Sequence, residues 1–202
     1  SFIHGPAMSH MLTGSIQLGH PSVGSWVVYG LGSESENLPA YIAMSEGSGV
    51  STKAVYSSGF LPAAYQGTFA RAEDSPLRNL VPQIDVNNQQ KILNQVNLWN
   101  RRYLVDQRQD DSRLEAQLNN YELAFRMQTA GPELINISNE PAHVQDMYGL
   151  NSEHTAKFGR MCLLARRMVE RGVRFIQLYK SGWDGHTEND QLHVTSSAQI
   201  EI

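Results

Sequence analysis

Cysteine is nearly absent: Cys162 is the one thiol among 202 residues, so no intrachain disulfide can form and cysteine usage leaves the redox compartment open. An excess of positive charge is absent too. Sixteen Lys and Arg face 20 Asp and Glu, a formal net charge of -4, and without a dense basic run the chain offers a nucleic acid little purchase. The closest approaches are the pairs Arg101–Arg102 and Arg166–Arg167, both in helical patterns and read as solvated helix faces. No stretch approaches the ~20 apolar residues of a membrane span, no signal-like segment opens the chain, and no repeat or low-complexity tract interrupts it. The glycines at 30 and 32 are followed by no Lys and preceded by no strand, so residues 30–37 (GLGSESEN) read as a polar loop rather than a phosphate cradle.

What remains is an ordinary globular composition, 41% hydrophobic and 18% charged, enough for one sizeable core and with no interior linker to split it. The most ordered stretch is Ala165 to His186. It opens as the end of a helix whose apolar positions Phe158, Met161, Cys162, Ala165, Met168 and Val169 recur three and four apart. That pattern makes Cys162 an inert thiol on an apolar face. Gly172 stops the helix, Val173 to Tyr179 reads as a strand, and Ser181, Gly182 and Trp183 turn the chain. Asp184 and His186 then stand just beyond the strand's carboxyl end, where open α/β sheets keep their chemistry.

Elsewhere the sequence predicts short helices over Ala7–Leu12, following Pro6, and Ser22–Tyr29. A strand is predicted over Tyr41–Met44. Residues 57–78 read as an ordered loop anchored by Phe60, Leu61, Tyr65 and Phe69, with a short extended piece over Leu77–Val81. Two longer helices, Gln89–Arg108 with Ile92, Val96, Trp99 and Tyr103 on one face, and Ser112–Met127, are expected to pair as an antiparallel hairpin. Gly131-Pro132 is expected to end the second. A brief helical turn is expected after Pro141, and nothing obvious closes residues 198–202. Because the chain starts in mid-pattern with Ser1, we expect it to be an internal piece of a longer protein.

Oxygen from Asp184 and nitrogen from His186 suit a divalent ion, and His193, seven residues on, is a candidate third ligand or supporting contact. The alternative for Asp184 and His186 is an exposed turn or a simple hydrogen-bonded pair. His4 and His10 are candidate bases, nucleophiles or phosphate-binding hydrogen-bond donors that could share that cleft, set against the commoner role of a histidine as a satisfied structural residue. Thr13 reads most simply as a helix cap, and Glu34 and Glu36 as solvated loop residues.

Three runs carry a resemblance: HPSVGSWVVYGLGSESENLPAYIAM (20–44), YELAFRMQTAGPELINIS (121–138) and CLLARRMVERGVRFIQLYKSGWDGH (162–186) closely resemble the family called DUF1501. Its members look like relatives of the alkaline phosphatases and sulfatases, are about twice as long, and many carry an export signal. The resemblance therefore implies an α/β fold, an alkaline-phosphatase-like sandwich with a central, mostly parallel sheet flanked by helices, present here in part as one domain over residues 1–202. It implies export to the periplasm or exterior, and a divalent metal such as Zn, Mn or Ca. Residues 4–14 (HGPAMSHMLTG) match the spacing of the sulfatase signature, keeping Pro6, Leu12, Thr13 and Gly14. His4 stands where the formylglycine-forming cysteine would be, and Ala7 and Met8 replace the Ser and Arg that guide that modification, so formylglycine chemistry is excluded. By the resemblance His4 is a catalytic nucleophile or a metal ligand, and Asp184 and His186 are metal ligands. His193 joins them as the less secure ligand, because the family usually continues differently after the GWD-x-H block. Other ligands are expected from outside these residues. The implied activity is metal-dependent hydrolysis of phosphate or sulfate esters, on small-molecule or polysaccharide substrates. The alternative is a non-catalytic carbohydrate- or surface-associated binding protein that keeps the fold.

Overall fold

In a computed structural model of the chain, residues 3–46, 56–71, 80, 82, 84–107 and 112–202 are described. At its centre lies β1, Tyr41–Ser45, buried at all five positions, as a parallel strand covered on both faces must be. β2 (Thr68–Arg71) and β3 (Phe175–Tyr179) pair with it in parallel, giving the order β2-β1-β3. The register sets Ile42 opposite both Thr68 and Ile176, and Ser45 opposite Arg71 and Tyr179.

Because successive strand side chains alternate, this register sorts the core into two faces. Ile42 and Met44 pack with Met161, Leu164 and Met168 of α6 (Ala156–Glu170) and Met127 and Leu134 of α4 (Ser112–Ile135). Tyr41 and Ala43 pack on the opposite side with Val28 of α2 (Val23–Leu31), joined by Phe175 and Tyr179. Met161, Leu163, Leu164 and Met168 are all fully buried, each contributing about 1.5–3 kcal/mol relative to exposure. The protein is thus α/β, a parallel sheet with helices on both faces. Close approach of α2 requires Gly24, since a Cβ there would lie 2.5 Å from the Tyr41 ring and 2.6 Å from that of Phe175.

α6 stops where the sequence predicts. Gly172 takes φ +86°, its N–H donates to Val169 and the N–H of Val173 to Met168, the paired bonds of a Schellman cap. The chain then enters β3. α1 (His4–Thr13) closes on Gly14 in the left-handed region, and α5 (Ala142–Met147) follows Pro141 as expected. Thr13 caps its own turn, its hydroxyl donating to the Ser9 and Ser15 carbonyls.

Several expectations are corrected. The segment read as a loop anchored by aromatics contains a 3-10 turn, Ala63–Tyr65, and the edge strand β2; pairing with β1 makes a strand of four residues that lack the alternation to announce one. Phe60 is exposed rather than an anchor. The predicted Leu77–Val81 piece lies outside the described residues except for Leu80, which is buried.

Gly131-Pro132 does not end α4, which runs on to Ile135. Proline inside a helix costs ~3 kcal/mol, but the extra turn buries Leu134 completely and packs Ile135 on the core. α3 (Val86–Gln107) contacts α4 through Asn97, whose amide donates to Glu122 at 2.8 Å. Its expected inner face is open instead, with Ile92, Trp99 and Tyr103 all exposed. Arg167, read as solvated, is buried: its guanidinium lies 2.5 Å from Glu140 and donates to the Glu133 carbonyl at 2.7 Å, tying α6 to the end of α4. Finally, α7 (Asn189–Ala198) closes the described fold. No described helix is long and apolar enough to cross a membrane.

Candidate metal centre

β3 delivers the turn at 180–188 to the carboxyl end of the sheet, and α1 brings its first residue, His4, to meet that turn. The Asp184 carboxylate lies between two imidazoles. Its Oδ2 is 3.5 Å from His4 Nε2 and its Oδ1 is 3.3 Å from His186 Nε2. The two rings stand edge to face, centroids 6.3 Å apart. One ligand atom from each residue falls within 4.8 Å of the others. All three side chains are open to solvent, at 67%, 59% and 78% exposure for His4, Asp184 and His186.

This donor set fits a divalent ion. Two imidazole nitrogens and a carboxylate oxygen are the ligands zinc and its neighbours accept, and donors 2.0–2.2 Å from one tetrahedral ion stand roughly 3–3.6 Å apart; each imidazole lies at that distance from one of the two Asp184 oxygens, and the three donors would draw in from within 4.8 Å to share one ion. Three protein donors leave a position open for a reacting group.

The other predicted residues lie apart. His193 sits on exposed α7 with its ring 5.8 Å from that of Trp183, outside the trio. His10 lies six residues along α1 from His4, about 240° around the helix, and is exposed. Glu34 pairs with Arg174 at 2.7 Å, away from the turn.

Two residues beside the site escaped sequence reasoning. Glu46 follows β1 and Lys180 follows β3, and since Ser45 and Tyr179 are register partners the next residues meet as well. Lys180 Nζ lies 3.2 Å from Glu46 Oε2, the side chains only 12% and 7% exposed. The signal was there, an acid and a base each placed directly after a strand. Half-buried Cys162 lies on the neighbouring helix; burial first, then the Glu46 carboxylate, pushes its thiol pKa up, so it is a poor nucleophile.

The sequence profile of the family described as "Protein of unknown function (DUF1501)" matches residues 1–201. The chain belongs to the DUF1501 family. No curated protein and no solved structure shows a significant match to it. Within this DUF1501 member, the residues brought together by α1 and the turn after β3 are, among the described residues, the one group of three His, Cys, Asp or Glu side chains spaced to hold a metal ion.

Proposed function

We propose that this DUF1501 chain acts in a metal-dependent hydrolase of phosphate or sulfate esters that uses no formylglycine, built on the architecture of the alkaline phosphatases and sulfatases and working outside the cytoplasm. One observation carries the reading: His4, Asp184 and His186 converge at the carboxyl end of a parallel sheet with ligand-like spacing. His4 is assigned as a ligand rather than the nucleophile, because it offers a ring nitrogen to the same group of donors as Asp184 and His186, and a nitrogen that binds an ion cannot also attack.

Asp184 orients both imidazoles, an oxygen to each. An ion held on the Nε2 atoms requires the tautomer of each ring that carries its hydrogen on Nδ1. A bound divalent ion supplies Lewis-acid polarisation of the ester oxygens and neutralises charge developing on them.

The test is metal content of the purified protein by mass spectrometry, together with hydrolysis of aryl phosphate and aryl sulfate esters. Asp184→Ala should remove both metal and activity. His4→Ala should also release metal; retention of metal with loss of turnover would make His4 the nucleophile instead. A wild-type protein that takes up neither Zn²⁺ nor Mn²⁺ and cleaves no ester would sink the proposal.

A different observation favours a second reading, binding of carbohydrate. The rings of His20, Phe60, Trp26, Tyr29 and Tyr65 form a chain with successive centroids 6.0, 5.7, 6.0 and 5.2 Å apart. Phe60, Trp26 and Tyr29 are exposed, a surface on which the C–H faces of sugars can stack. Retention on an insoluble polysaccharide that is abolished by Trp26→Ala would support it.

A further inference from the structure

We propose that α7 is the element that fixes the Asp184–His186 turn, with Ser196 and Gln199 as positioning residues for the metal ligands; this rests on the metal reading above. Apart from the His4–Asp184 contact and the Lys180–Glu46 pair, the turn has little else to hold it. Residues 180–188 contain no regular structure, and Ser181 to Asp184 and His186 to Glu188 are all exposed, so each would otherwise keep backbone freedom worth ~1–2 kcal/mol.

α7 holds the turn at three places. Ser196 is the one buried residue of the helix, 3% exposed, and its hydroxyl donates to the Gly182 carbonyl at 2.9 Å. Gln199, just past the helix, accepts from Lys180 Nζ at 2.8 Å, and that ammonium is anchored to Glu46 beyond the neighbouring strand. Between them Gly185, the residue separating the two proposed ligands, lies so close to α7 that a Cβ would come 2.3 Å from Asn189 Oδ1 and 2.4 Å from Leu192 Cδ2. The Trp183 ring adds its contact to His193. His193 thereby supports the turn rather than an ion.

The entry to α7 is also unusual. Glu188 takes φ +50°, the one non-glycine positive φ among the described residues, a conformation that persists only where its surroundings enforce it. Here it turns the chain from His186 directly into the helix that grips the turn from behind.

Partners bonded directly to metal ligands change metal affinity by about 10–100-fold when removed, and Ser196 and Gln199, which act through Gly182 and Lys180, belong at the low end of that range. The experiment compares wild type, Ser196→Ala, Gln199→Ala and Gln199→Glu by calorimetric titration with Zn²⁺ and by amide hydrogen exchange of the metal-free proteins. Ser196→Ala and Gln199→Ala should each bind Zn²⁺ on the order of tenfold more weakly, while Gln199→Glu, which keeps an acceptor for Lys180, restores the affinity. In the metal-free variants, exchange at residues 182–187 should accelerate with α6 and β3 unchanged. Wild-type affinity in both alanine variants, or unaltered exchange at the turn, would overturn the role of α7. A wild type that binds no Zn²⁺ refutes the metal reading alone, and the exchange data still decide whether α7 positions the turn.

Discussion

Glu46 and Lys180 leave adjacent parallel strands at the same register and meet 3.2 Å apart, nearly closed off from water. Two charges so placed are costly to bury and are kept by each other and by the Ser181 carbonyl and Gln199. Removing one partner strands the other: Glu46→Ala should destabilise the fold by about 3–5 kcal/mol. The double variant Glu46→Leu, Lys180→Met should lie much nearer wild type. Urea unfolding of the three proteins checks this, and equal losses in single and double variants would contradict it.

Among the described glycines, Gly159 of α6 is the one whose added Cβ would meet the nearest neighbour. A Cβ there would sit 1.7 Å from the carbonyl oxygen of Tyr148, a backbone atom that cannot swing aside. Gly→Ala ordinarily strengthens a helix by up to ~1 kcal/mol. At 159 the sign should reverse, with a loss of about 1–3 kcal/mol or more from overpacking, read as a lowered melting temperature.

Tyr179 lies in a group of phenols, and burial above all, with Tyr41 and Tyr56 adding to it, raises its pKa well above the ordinary tyrosine value of 10.0. Burial raises Tyr41 and Tyr56 as well. The folded state therefore holds these protons more tightly than the unfolded chain. The resulting stability is complete below pH 10 and is lost as pH rises from there toward the folded-state values. Wild type should unfold on alkaline titration with tyrosinate absorbance appearing as it unfolds. Tyr179→Phe should shift that transition upward.

Cys162 should react slowly. Its raised pKa leaves less thiolate at pH 8 than a free cysteine has, so labelling by a disulfide reagent should be slower than that of glutathione, and should reach the rate seen with glutathione only in denaturant. Fast labelling of the native protein would contradict this.

How much of this was legible depends on what each residue was asked to signal. β1, α6 and β3 could be read because apolar spacing and Gly172 mark them locally, and Asp184 and His186 because a turn after a strand has a fixed address in an α/β sheet. β2 and α7 could not. Thr68–Arg71 becomes a strand through hydrogen bonds supplied by β1, and Asn189–Ala198 is a polar segment entered through a backbone conformation that Glu188 does not advertise. Arg167 looked solvated because its partners, Glu140 and the Glu133 carbonyl, lie on other elements. Spacing likewise could not join His4 to a turn nearly the whole chain away; the residues offered His4 and His10 alike to that cleft, and the resemblance singled out His4.

The central strand also sets a timetable for synthesis. Tyr41 hydrogen-bonds to Gln177 across 136 residues, so β1 must wait for its second partner while the ribosome adds that much chain, roughly 7–27 s at ordinary elongation rates. For that interval Ile42, Ala43 and Met44, which are fully buried in the finished protein, have only the β2 side of the sheet to pair with. Chaperone capture of the nascent chain should therefore peak after β1 emerges and fall once β3 has cleared the exit tunnel.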